Sequence, residues 1–185
     1  MANSGKTLEP RRVVVTGVGA ITSQGPTAQA LWEKVRDCQV AIRPVEHMSM
    51  EGFRTQIGGE VRDDPGDKMP YPHPGGFRDR AFDFALKAAE EAFEAGGVGF
   101  EYIPAERWGV VIGTCNAGLL SGEHWYKERM AGGSPDPSLV TLVPPQALAE
   151  AVSGAFGLRG PTLSINTACA AEFSRRASNS GCRSR

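Results

Sequence analysis

The sequence predicts an α/β fold with a mostly parallel sheet. Three observations carry that expectation. Short β-branched runs at 12–16, 108–114 and 161–166 have the length of strands buried on both faces. Between them, apolar residues recur at three- and four-residue steps, the spacing of helices. Hydrophobic residues make up 41% and charged residues 22% of 185, the composition of one globular unit with its own core.

The elements follow in order. Arg12–Thr16 (Val13, Val14, Val15, Thr16) reads as a first strand, ended by Gly17 and Gly19. A helix is expected over 26–37, opened by Pro26 and Thr27, with Leu31, Trp32 and Val35 on one face. Residues 60–78 hold four prolines and three glycines and read as a long loop or flap. The clearest helix runs from Asp79 to Ala95, with Phe82, Ala85, Leu86, Ala89 and Phe93 on its stripe. Asp79 is placed to cap it, and Gly96-Gly97 to stop it. Trp108–Thr114 is the second strand, followed by the turn Gly113–Gly118 and helical potential over 119–130. Residues 131–143 read as a loop. Pro145–Phe156 is a helix with Leu148, Val152 and Phe156 on one stripe, and Pro161–Asn166 is the third strand.

Charge and cysteine usage exclude several functions. The formal net charge is −1, so nothing electrostatic points to nucleic acid or an anionic membrane surface. No apolar run reaches the roughly 20 residues of a spanning helix. The polar segment 1–10 has no apolar signal region, which makes the cytoplasm the expected compartment. Cys38, Cys115, Cys169 and Cys182 form no C-x-x-C pair, and His47, His73 and His124 have no ligand spacing, so no metal site is expected. Residues 171–185 carry Arg175, Arg176, Arg183 and Arg185 against Glu172 and lack apolar periodicity beyond Phe173; this tail is expected to be disordered.

Cys169 is the sharpest chemical candidate. It follows a strand and precedes a stretch with helical potential, where unpaired backbone N–H groups and the positive end of a helix dipole favour a thiolate. The backbone N–H there can also donate to an oxyanion. Position alone leaves two readings open, an acyl-accepting nucleophile and a small apolar residue packed beneath a strand. Gly17-Val18-Gly19 resembles the start of a dinucleotide fingerprint, but Thr22 stands where the third glycine belongs, so a tight turn is the better account. Cys115 reads as a packed thiol in a tight turn, Cys38 as a surface residue, and Phe77-Arg78-Asp79-Arg80 as a solvated helix start.

Several of these pieces occur together in one family. RRVVVTGVGAIT at 11–22, Gly25, Trp32, WGVVIGT at 108–114 and GLRGPTLSINTACA at 157–170 resemble the N-terminal half of a β-ketoacyl-acyl-carrier-protein synthase, of the thiolase superfamily. The resemblance spans 11–170. It implies the N-terminal half of a thiolase-like fold, a mixed, mostly parallel sheet covered by helices, with Cys169 taking an acyl group from the phosphopantetheine arm of acyl-carrier protein. Malonyl-carrier protein then loses carbon dioxide, and the carbanion attacks the thioester to give a 3-oxoacyl chain of a fatty acid or polyketide. No cofactor or metal is implied. The resemblance further implies a homodimer with Thr162–Asn166 near its twofold axis, and an acyl pocket lined by Cys115 and Asn116, where glycine and an apolar residue are expected.

Two departures stand beside this resemblance. The family's two histidines, lysine and second oxyanion donor lie in a second half, whereas His47, His73 and His124 all precede Cys169. After Ala171 the small-residue and apolar-helix pattern gives way to EFSRRASNSGCRSR, which reads as a truncated or frameshifted copy unable to complete the condensation. The alternatives are a non-catalytic, dimerising interaction module, and a nucleotide-dependent reductase, against which the absence of a Tyr-x-x-x-Lys pair weighs.

Overall fold

A computed structural model describes residues 12–97, 99 and 102–171. The expected tail and Cys182, and the 1–10 extension, lie outside them. Helix α1 spans Ala28–Arg36, and strands β1 (Arg43–Pro44) and β2 (Ile57–Gly58) form an antiparallel hairpin that no run in the sequence announces. Helix α2 (Arg80–Gly96), strand β3 (Val110–Gly113), helix α3 (Leu119–Met130), helix α4 (Gln146–Ala155) and strand β4 (Thr162–Ile165) follow. β3 and β4 pair in parallel, from Val110 opposite Thr162 to Gly113 opposite Ile165. Parallel neighbours need a crossover, and α3 and α4 supply it.

α2 forms as its sequence dictates. The Asp79 carboxylate accepts from the Ala81 N–H at 3.2 Å, and Gly97 closes the helix in the left-handed region (φ 59°). Its Phe82 and Leu86 are buried, as are Leu148, Ala149, Ala151 and Val152 of α4 and Val110 of β3. Phe93, Trp108 and Phe156 close this core at one end; the Phe93 ring meets Trp108 edge-on at 5.7 Å and Phe156 at 4.8 Å. The core thus sits between α2, α4 and the parallel pair, and it is this packing that holds the carboxyl ends of β3 and β4 in place.

The first expected strand is corrected. Among the described residues Arg12–Thr16 pairs in no ladder, and Val13, Val14 and Val15 are 67%, 69% and 82% exposed. The run docks on α2 through its glycines instead. A Cβ on Gly17 would collide with the carbonyl oxygen of Ala92, and one on Gly19 with that of Ala88. The glycines therefore serve close approach of two backbones. Glu91 of α2 completes the joint, accepting from the Ala20 N–H at 2.8 Å and from the Ala28 N–H at 2.9 Å, where its charge also faces the start of α1. The expected apolar face of α1 is likewise not buried: Trp32 is 60% and Val35 52% exposed.

The 60–78 segment is a loop, pinned rather than free. Arg78 Nε donates to the buried Asp83 at 2.6 Å and its Nη2 to Asp64 at 2.8 Å; Lys68 reaches Glu90 at 2.9 Å. Asp79 is also buried, accepting from both the N–H and the hydroxyl of Ser121 at 3.1 and 2.8 Å. Phe77–Arg80 is thus a tertiary joint, in place of the solvated helix start expected. The 131–143 loop contains a 3₁₀ turn, Pro137–Leu142, that buries Leu139 and Leu142.

Candidate functional site

The carboxyl ends of adjacent parallel strands are where an α/β sheet leaves a crevice for ligands. Here they present Cys115 and Asn116 after β3, and Cys169 after β4. The Thr114 N–H donates to the Ile165 carbonyl at 3.2 Å, so the two strands stay paired to their very ends before the chains diverge.

β4 runs through Asn166 and Thr167 into a 3₁₀ turn, Ala168–Ala170, closed by the Ala170 N–H on the Thr167 carbonyl at 3.1 Å. Ala168 enters it at φ 48°, in the left-handed region that an alanine adopts only at a cost. That bend carries Cys169 to the surface, where its thiol is exposed. The packed-thiol alternative is therefore corrected. The residues that would continue a helix beyond Ala171 lie outside the described ones. Among the described residues, no hydrogen bond or ion pair joins Cys169 to a histidine, lysine or carboxylate. The three histidines are engaged elsewhere. His47 lies 3.6 Å from Glu60, His73 is 2.9 Å from Asp67, and His124 stacks on Phe77 at 4.3 Å.

Cys115 and Asn116 are exposed too, against the expectation of a packed thiol. With Leu119 of α3 and Val140, Val143 and Pro145 they line an apolar cavity of about 400 Å³. Next to it, Gly118 (φ 64°) is a position where a Cβ would strike the Leu142 carbonyl, so that glycine lets α3 start directly against the 3₁₀ turn. No residue of 166–170 lines this cavity. The structure therefore brings Cys115 and Asn116 together, on the same sheet edge as Cys169 but in a separate recess.

Electrostatics concentrate on the pinned loop, which sequence reading missed. Arg78, between Asp64 and Asp83, holds its proton more tightly than a free guanidinium, Asp64 being the larger cause. The Asp64 carboxyl is pushed below its usual range by Arg78 first and then by the Gly66 N–H. Glu90 is lowered by Lys68 and then Lys87. Only the alternation of charges in DDPGDK and FRDRAFD hinted at this network. Among the described residues, no group of three His, Cys, Asp or Glu side chains is disposed to hold a metal, and no helix is long and apolar enough to cross a membrane.

Comparison with known proteins accords with this geometry. The family described as beta-ketoacyl synthase, N-terminal domain, matches residues 10–177. Nodulation protein E of Rhizobium sp. (strain N33) is 30% identical over 162 residues, 86% of this chain and 40% of that protein. The 3-oxoacyl-[acyl-carrier-protein] synthase 2 of Coxiella burnetii is 30% identical over 167 residues, 88% of this chain and 40% of that protein. Among solved structures, the ishigamide ketosynthase/chain length factor superposes with a TM-score of 0.72 at 26% identity, covering 85% of this chain and 40% of that one. AntDE:AntF, a type II PKS acyl-carrier protein in complex with its ketosynthase, gives 0.68 at 23% identity, with 91% and 40% covered. The chain spans about 40% of the length of the curated relatives it matches.

Proposed function

Since the chain belongs to the beta-ketoacyl synthase family, of which it carries the N-terminal domain, we propose that it supplies the acyl-accepting nucleophile of a 3-oxoacyl-[acyl-carrier-protein] synthase. The observation that carries this reading is the exposed Cys169, lifted out of the end of β4 by the left-handed Ala168. In the step it performs, the Cys169 thiolate attacks the carbonyl carbon of an acyl thioester on a phosphopantetheine arm. The carbon–sulfur bond to the arm breaks, an acyl-cysteine forms, and the arm leaves as a thiolate that takes up the proton Cys169 gave up. The step needs no metal or redox group. The partner that brings the acyl group is acyl-carrier protein, as in the ketosynthase complex that superposes on this fold. We assign the acyl chain to the apolar cavity beside Cys115 and Asn116, which lies at the same sheet edge as Cys169 although no residue of 166–170 lines it. Fatty acid and polyketide synthases share this step.

The groups that would decarboxylate malonyl-carrier protein are a different matter. His47, His73 and His124 are held by Glu60, Asp67 and Phe77, so among the described residues the step supported is acylation, and none of these histidines is placed beside Cys169. Incubation with acyl-acyl-carrier protein followed by peptide mass spectrometry tests the proposal. An acyl adduct is expected on Cys169 and is expected to be absent in Cys169→Ala. An adduct that persists in that variant, or no adduct at all, removes Cys169 from the role.

A second reading, a self-associating module, is favoured by the exposed Val13, Val14 and Val15. It predicts a sedimentation coefficient that rises with concentration in the wild type and stays monomeric in Val14→Asp.

A further inference from the structure

The apolar cavity owes one wall to a turn and the residue that follows it. Val140 belongs to the 3₁₀ turn Pro137–Leu142, and Val143 follows it. The turn is anchored inward by Leu139 and Leu142, 1% and 5% exposed, while Val140 between them is 45% exposed and faces the opening. Its start is set by Asp136, one of whose carboxylate oxygens accepts from the Ser138 N–H at 2.9 Å.

The other oxygen of Asp136 reaches across the fold and accepts from the Gly75 N–H at 3.0 Å. Gly75 is the crest of the 60–78 segment, in the short turn Pro74–Gly76. It adopts φ 57°, and a Cβ there would press on the Asp136 Cβ at 3.2 Å and on Leu139 at 3.3 Å. The two sides of the crest are tied to α2. On one, Lys68 donates its N–H to Asp83 at 2.9 Å and its ammonium to Glu90 at 2.9 Å; on the other, Arg78 holds Asp83 at 2.6 Å. The 60–78 segment is therefore a strap, fixed to the core helix on both sides of its crest and hooked at the crest onto the cavity wall.

We propose that Asp136 is a positioning residue, joining the strap to the turn over Val140 and thereby setting how far the apolar cavity opens. A single carboxylate serves both partners, so the turn cannot swing outward without releasing the strap. The inference deepens the assignment of this cavity to an acyl chain and takes its functional meaning from it, but the joint itself stands on contacts independent of Cys169.

The test uses the full chain and the thiol that lines the cavity. Cys115 is alkylated in competition by N-ethylmaleimide and by a bulky fluorescein maleimide, the products being counted by peptide mass spectrometry with exposed Cys38 as internal reference. In Asp136→Ala and in Gly75→Ala, the bulky-to-small ratio at Cys115 is expected to rise about fivefold, the opening expected from loss of one capping interaction. Asp136→Asn, which keeps one accepting oxygen, should fall between. The ratio at Cys38 should not move. An unchanged Cys115 ratio in both variants, with native circular dichroism and melting, overturns the proposal. Should the variants fail to fold, hydrogen exchange on the wild type decides. The Gly75 amide and the amides of 139–143 should open together, and independent exchange overturns the proposal equally.

The same variants separate this inference from the acyl reading. If the Cys115 ratio rises and acylation of Cys169 shifts toward longer chains, both stand. If the ratio rises with no shift in chain preference, the joint stands and the cavity is not the acyl channel.

Discussion

Two runs of nearly the same composition end differently in this molecule. Val13-Val14-Val15-Thr16 and Val110-Val111-Ile112-Gly113 are both β-branched, both short and both followed by glycine or a turn. The second is a strand, hydrogen-bonded to β4, with Val110 6% exposed under α4; the first pairs with no strand among the described residues and is at least 67% exposed at each valine. Propensity is the same in both, so the difference lies in what stands beside them. A β-branched run becomes a strand only when a partner offers a ladder and a helix covers the face. β3 has both. Residues 12–16 have neither among the described residues, and settle on the backbone of α2 through Gly17 and Gly19.

The sharpest way to break the comparison is to put the same charge into each run. Val110→Asp buries an unpaired carboxylate and should cost at least about 3 kcal/mol, a large part of what a domain of this size possesses. Val14→Asp meets water and should change unfolding free energy by less than about 0.5 kcal/mol. Urea melts followed by Trp fluorescence read both. Equal losses would show that 12–16 is covered in solution. A smaller effect tests how the first run is held. Gly19→Ala forces a methyl into the Ala88 carbonyl and should cost about 1–3 kcal/mol, more than the valine substitution beside it. A neutral Gly19→Ala would mean that the segment is not docked on α2.

The same contrast explains what could be read in advance. α2, α4, β3 and β4 were legible because their periodicity and their partners lie within the chain: Phe82 and Leu86 face Leu148 and Val152, and the parallel pair is closed by its own crossover. The exposed position of the 12–16 run was not legible, because pattern records the wish for burial and not its supply. The β1–β2 hairpin was missed because two-residue strands carry no alternation. The Arg78–Asp83–Asp64 joint and the Asp136–Gly75 bond were missed for another reason: they link a side chain to a group 5 to 61 positions away, a matter of how loops fold back. Of the candidate site, the place of Cys169 at a strand end could be read from PTLSINTAC, and the shared recess of Cys115 and Asn116 from a family resemblance. That Cys169 does not line that recess required coordinates.

The least effect is expected where two other turns differ, and it bears most directly on the chemistry. Two residues other than glycine adopt positive φ among the described residues: Cys38 at 54° and Ala168 at 48°. Cys38 ends α1, and its neighbours explain it, since the Cys38 N–H bonds to Val35 and the Gln39 N–H to Lys34, the closing pattern of a helix. Ala168 ends no helix. It stands between a strand and the nucleophile candidate, and its conformation costs about 1 kcal/mol relative to glycine. Cys38→Gly and Ala168→Gly should therefore both raise stability by a few tenths to about 1 kcal/mol, the relief being partly offset by the freer unfolded chain. They should part company in acylation. Cys38→Gly should leave the rate at Cys169 unchanged, whereas Ala168→Gly should lower it, because the alanine methyl restricts the turn that presents the thiol. A gain in stability with no loss of rate in Ala168→Gly would make the bend a tolerated strain; a loss of rate would make it part of how the cysteine is delivered.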